Sequence, residues 1–174
     1  MALQRVLAEL AGLERDGIVK RLAIGGAIGA SRYIAAAATE DVDVFVAFLD
    51  SAAASLTPLA PIYDHLKARG AMVEGAHLVI DGWPVQFLAA SGALLEDALA
   101  EAEAVETEGV ITRFFSAEHL AAIALQVGRA KDKLRVVQMI EQSALDLPRF
   151  HNVVKRHGLE QQWNEFSNRV LGGR

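Results

Sequence analysis

Apolar residues at Leu3, Val6, Leu7, Leu10 and Leu13, with charged residues between them, form the stripe of an amphipathic helix that stops at Asp16-Gly17. Lys20 to Ile24 is a short apolar run leading straight into Gly25-Gly26, which predicts a strand and then a turn. Residues 27–37 are alanine-rich and predict a helix. In DVDVFVAFL, residues 41–49, β-branched and aromatic side chains predict a buried strand. Thr57-Pro58 supplies a helix start and Gly70 a stop, bracketing a helix from Pro58 to Arg69 with Leu59, Ile62, Tyr63 and Leu66 on one face.

The runs HLVI and PVQFLA flank Asp81-Gly82 and Trp83, the pattern of a β-hairpin. Leu94 to Ala104 predicts a helix, and Gly109 to Phe115 a last strand. From Ser116 the pattern is helical only. Ser116 caps a helix carrying Leu120, Ile123, Ala124 and Val127, and Gly128 interrupts it. Lys131 to Ser143, Pro148 to His157 and Leu159 to Leu171 then predict three further helices. This order implies an α/β (α+β) fold: a mixed sheet flanked by helices over residues 1–115, and a helical layer over residues 116–174 packed on it as one compact unit.

Composition narrows the picture. The chain has 174 residues, enough for one good core, and lacks cysteine, which excludes disulfides and thiolate metal sites and fits a reducing cytoplasm. No uncharged apolar stretch reaches the length of a membrane span, and the charged first helix does not resemble a signal peptide. Residues 1–127 carry a net charge of −9 and residues 128–174 a net +4. An acidic front suits divalent cations and a basic tail suits polyphosphate or nucleic acid, although helical surfaces also differ in charge without any such role.

Asp41 and Asp43 lie two apart on the predicted strand, so both side chains leave the same face. An aspartate between Val42 and Val44 is costly unless a cation or hydrogen-bond donors meet it. Two carboxylates on one face make an oxygen-ligand site for Mg²⁺; a solvated loop before a strand starting at Val44 is the alternative. Gly25-Gly26, between a strand and a helix, lets backbone N–H groups approach a phosphate, with help from the helix dipole. The glycines at 25, 26 and 29 fit neither a dinucleotide-binding nor a P-loop spacing. His77, His119, His151 and His157 show no metal-ligand spacing.

The stretch AIGGAIGASRYIAAAATEDVDVFV, residues 23–46, resembles the nucleotidyltransferase superfamily, whose hallmark is a glycine pair followed by Asp-x-Asp on the next strand. Within it, the chain is most similar to the small bacterial AbiEii/AbiGii toxin-like group. SAEHLAAIALQVGRAKDKLRV (116–136) resembles that group's helix with a Lys-Asp pair, and VVKRHGLEQQW (153–163) its usual ending. The resemblance implies that Gly25 and Gly26 hold a triphosphate, helped by Arg129 and Lys131. It implies that Asp41 and Asp43 bind Mg²⁺ or Mn²⁺, and that Lys131 and Asp132 join them in catalysis. The reaction implied is transfer of NMP from NTP to the hydroxyl of a tRNA end, a protein side chain or a small molecule. A toxin–antitoxin or phage-defence setting, with a cognate antitoxin as partner, is implied in the same way.

One position departs from the family pattern. Where active members place a third carboxylate, the hairpin carries Gln86. An amide neither accepts a proton usefully nor ligates metal with full charge. Either Asp132 compensates, or the chain is a nucleotide-binding or partner-binding module without turnover. A purely structural pairing of the acidic strand with Lys131 and Arg129 is the third reading.

Overall fold

The computed structural model describes residues 2–35, 39, 41–107 and 109–172. Its centre is a seven-stranded mixed sheet in the order β3-β4-β5-β2-β1-β7-β6. The strands are β1 (Arg21–Ile24), β2 (Val42–Ala47), β3 (Met72–Glu74), β4 (His77–Ile80), β5 (Trp83–Ala89), β6 (Glu103–Thr107) and β7 (Val110–Phe114). β2 runs antiparallel to β1 and parallel to β5, and β1 runs parallel to β7. The remaining neighbours pair antiparallel.

Alternation along β2 gives the sheet two unlike faces. Val42, Val44 and Val46 are fully buried in one apolar cluster with Val6, Leu7, Leu10 and Leu13 of α1 (Ala2–Arg15) and Ile62 and Leu66 of α4 (Ala60–Ala68). Burying those three valines contributes roughly 5 kcal/mol before conformational entropy is counted. Asp43, Phe45 and Ala47 turn to the other face. There a second cluster joins Ala23 and Phe115 to α5 (Ala93–Ala100), α6 (Ala117–Val127), α7 (Ala130–Glu141), α8 (Leu147–Arg156) and α9 (Glu160–Val170). α6 is the axis of that layer, buried over most of its length. Ser116 caps it by accepting the His119 N–H at 3.3 Å, and Gly128 ends it in the left-handed conformation at φ 72°. Among the described residues no helix is long and apolar enough to cross a membrane.

The sequence pattern misplaces four features. The helix after the glycine pair, α2, spans only Gly26–Ala30, and residues 31–34 form turns. Residues 36 and 37 of the expected helix lie outside the described residues. α5 ends at Ala100 rather than Ala104, because Glu103–Thr107 pairs with β7 as an edge strand. β3 and the one-turn helix α3 (Asp50–Ala53) are further elements that periodicity does not announce.

Candidate active site

The turn that leaves β1 is shaped by what surrounds it. A Cβ on Gly25 would stand 2.6 Å from the Phe45 ring and 3.0 Å from the Phe115 ring, and one on Gly26 would run into the Asp43 carboxylate. Gly26 also adopts φ 57°, a left-handed conformation that side chains disfavour. The glycine pair is therefore the condition for Asp43 to occupy the space beside the turn. The Gly25 N–H donates to the Asp43 carbonyl at 3.0 Å, so that amide is engaged within the sheet and is not free for a phosphate. With α2 only five residues long, the helix dipole expected to help there is also slight.

Asp43 lies inside β2 and Asp41 just before it, which excludes the strand starting at Val44. Both carboxylates line a cleft of about 920 Å³ between the sheet and the helical layer. Gly26, Gln86, Arg129, Lys131, Asp132 and Arg135 line the same cleft. Thr39 Oγ1 donates to Asp41 Oδ1 at 3.2 Å. Among the described residues no donor is hydrogen-bonded to the Asp43 carboxylate. Burial pushes the Asp43 carboxyl above its ordinary range, and the charge of Asp41 adds to this. Arg135, Lys131 and Arg129 offset the shift without cancelling it.

Asp132 sits differently from its expected role. It is 2% exposed and accepts from Arg129 Nε at 2.7 Å and Arg129 Nη2 at 3.3 Å, with Arg135 Nη1 at 3.9 Å. Among the described residues no three His, Asp or Glu side chains are grouped to hold a metal ion, so Asp132 does not complete a trio with Asp41 and Asp43. Its charge is answered by the two guanidinium groups, and its geometry is that of an anchor for Arg129. Gln86 stands in register with Asp43 on the neighbouring strand, the place the hairpin pattern indicated.

The donor set suits a divalent cation of the Mg²⁺ type. Two carboxylates share one face, one of them without a hydrogen-bond donor among the described residues, and such ions are held by one or two carboxylates plus substrate phosphates. Lys131 is exposed on the cleft wall, where an ammonium can meet phosphate oxygens. Arg32 and Tyr33, close to the glycine turn in sequence, are committed to packing. Arg32 lies 5.0 Å over the rings of Tyr33 and Phe114, and Tyr33 Oη is 3.2 Å from both Glu103 Oε2 and the Phe115 carbonyl. Desolvation lifts the Tyr33 hydroxyl to about 12, despite the opposing Arg32 charge.

A second polar cluster was not visible in the sequence. His157 Nε2 donates to Asp97 Oδ2 at 2.7 Å and His119 Nε2 to the same oxygen at 3.3 Å, with Arg156 Nη2 at 3.0 Å. The Ser116 hydroxyl lies 2.9 Å from His119 Nδ1, which is left to accept its proton. This cluster ties α5, α6 and the end of α8 together and does not line the cleft.

No protein-family model matches the sequence, and no curated protein matches it. Solved structures do share its architecture. ANT(2")-Ia in complex with adenylyl-2"-tobramycin is 15% identical, with a TM-score of 0.54 over 92% of this chain and 96% of that one. The solution structure of the antibiotic-resistance factor ANT(2'')-Ia is 12% identical, with a TM-score of 0.51 over 97% of each chain. Likeness at this identity is likeness of fold, and the mixed sheet flanked by helices is that of the nucleotidyltransferases.

Proposed function

We propose that the chain is a metal-dependent nucleotidyltransferase, moving NMP from an NTP to an acceptor hydroxyl. The observation that carries this reading is the acidic pair Asp41 and Asp43, with Asp43 lacking a hydrogen-bond donor among the described residues, set beside the glycine turn in a cleft whose opposite wall bears Arg129, Lys131 and Arg135. Asp41 and Asp43 would hold Mg²⁺ or Mn²⁺, which when bound neutralises phosphate charge and makes the α-phosphorus easier to attack. Lys131 and Arg135 draw the phosphate oxygens to the helical wall. Asp132 fixes the Arg129 guanidinium beside them, and Gly26 keeps the space over Asp43 open. In the reaction the acceptor oxygen bonds to the α-phosphorus while its bond to the bridging oxygen breaks, and pyrophosphate leaves.

The neighbour is in complex with adenylyl-2"-tobramycin, a molecule bearing several amines. Among the described residues of this chain, the carboxylates lining the cleft, Asp41, Asp43 and Asp132, are matched by Arg129, Lys131 and Arg135. Once a cation and Arg129 are satisfied, no surplus of negative charge is left for a polycation. This favours a neutral or anionic acceptor, such as a tRNA end, a protein hydroxyl or an uncharged small molecule. The likeness of residues 23–46, 116–136 and 153–163 to AbiEii/AbiGii toxins extends the proposal to a toxin–antitoxin or phage-defence role with an antitoxin partner.

Gln86 beside Asp43 favours a second reading, a module that binds nucleotide without turning it over. Incubation with α-labelled NTPs, Mg²⁺ and, in turn, tobramycin, unfractionated tRNA and the protein alone separates the two. The proposal expects label transfer that Asp43→Ala abolishes, weakest with tobramycin. Transfer that survives Asp43→Ala contradicts it, and Mg²⁺-dependent nucleotide binding without transfer supports the second reading.

A further inference from the structure

Gln86 leaves open which group takes the proton from the acceptor hydroxyl. The β4–β5 register sets Leu78 against Val85 and Val79 against Pro84, and its continuation sets His77 against Gln86. β5 in turn sets Gln86 against Asp43, and β3 sets Glu74 against His77. Residues opposite one another share a sheet face, so Glu74, His77, Gln86 and Asp43 form one row across four strands. Leu78 and Ile80 turn into the opposite, fully apolar cluster, which fixes the His77 ring on the cleft side. His77 lines the cleft together with Asp43 and Gln86.

Among the described residues, the cleft carboxylates and the other histidines are committed. Asp41 and Asp43 would hold the cation, and Asp132 is held by Arg129. His119 and His157 are bonded to Asp97, His65 Nε2 lies 3.6 Å from Asp16, and His151 packs against Phe150 and Trp163. Among the described residues His77 is the histidine lining the cleft, and no hydrogen bond or ion pair engages its ring.

Resting on the nucleotidyl-transfer reading, we propose that His77 is the general base of the reaction, replacing the carboxylate that Gln86 displaces. Two strand spacings, about 10 Å, separate its backbone from that of Asp43, which leaves room for an acceptor hydroxyl over Gln86. An imidazole nitrogen of His77 takes the hydroxyl proton as the oxygen bonds to the α-phosphorus. The electron pair of the broken P–O bond leaves with pyrophosphate, and the proton passes to water at the exposed edge by Glu74. Among the described residues, the charged groups that share its row or its cleft are Glu74 from β3, Asp41 and Asp43 from the β2 side, and Arg129, Lys131, Asp132 and Arg135 from the helical wall.

The test is pyrophosphate release from Mg-ATP across pH, with tobramycin, unfractionated tRNA or water as acceptor, alongside calorimetric binding of Mg-ATP. The unsubstituted chain, His77→Gln, Gln86→Glu and the double variant are compared. His77→Gln should lower kcat about a hundredfold with the Mg-ATP Kd unchanged. The acid limb of the unsubstituted pH profile should be absent from His77→Gln, and the double variant should regain turnover. An unaltered rate and profile in His77→Gln overturns the assignment and leaves nucleotidyl transfer standing. Turnover by Gln86→Glu but not by the unsubstituted chain also overturns it, showing a site without a base. Failure of the unsubstituted chain to bind Mg-ATP, or binding without turnover in every variant, overturns the transfer reading and the base together.

Discussion

Asp43 and Asp97 are both partly sheltered carboxylates, yet their surroundings push them in opposite directions. Burial raises the Asp43 carboxyl, the like charge of Asp41 raises it further, and no donor among the described residues is hydrogen-bonded to it. At Asp97 burial also opposes ionisation, but hydrogen bonds from His157 and His119 and the charge of Arg156 outweigh it and hold the carboxyl below its ordinary range. Asp132 belongs with Asp97, since it is almost fully buried and answered by Arg129. Where the fold uses a carboxylate for its own cohesion it supplies hydrogen-bonding cations; at Asp43 the cations act only through their charge. An acid kept short of partners, facing a cleft, is the physical mark of a site waiting for a ligand.

The largest test of that contrast is catalytic. Asp43→Ala should cut nucleotidyl transfer about a thousandfold, some 4 kcal/mol in the barrier, while leaving the fold intact by circular dichroism. Asp97→Asn should do the reverse, costing about 2–3 kcal/mol in urea denaturation at neutral pH and sparing turnover per folded molecule. Because the folded Asp97 carboxyl is depressed, its stabilisation is present above the ordinary carboxylate range and is lost as pH falls through the depressed value. The gap between Asp97→Asn and the unsubstituted chain should therefore close on acidification. Arg129→Ala should lower the urea midpoint only slightly in the same denaturation assay, because Arg129 is mostly exposed and Arg135 remains to face Asp132.

The smallest effect has the opposite sign. The folded state holds the Asp43 proton more tightly than the unfolded chain does, so metal-free stability falls as pH rises through the window above the ordinary carboxylate range. Asp43→Asn should then raise the urea midpoint at neutral pH without metal, and the gain should vanish below that window.

The functional strand was legible because its chemistry is local. DVDVFV alternates, and Asp43 breaks an otherwise apolar run in a way only a ligand or a loop could explain. The edges were not legible. β3 is exposed at all three residues, so it carries no apolar period, and Glu103–Thr107 follows a helix-favouring run whose propensity is overridden by pairing with β7. Reading Asp132 as a spare carboxylate fails because spacing reveals neither its burial nor its guanidinium partners. The Asp97 cluster is assembled from residues 97, 119, 156 and 157, brought together only by tertiary packing. The place of His77 depends in the same way on strand register, which one strand's composition does not fix.

Thermal unfolding with Mg²⁺, with a non-hydrolysable ATP analogue, and with both together tests most directly whether the Asp41–Asp43 pair holds a metal–nucleotide ligand. The unsubstituted chain should be stabilised strongly only when both are present, by about 2.7 kcal/mol at a hundredfold excess over Kd, and Asp43→Asn should lose that gain. Stabilisation that Asp43→Asn retains in full, or none in the unsubstituted chain, would contradict the account.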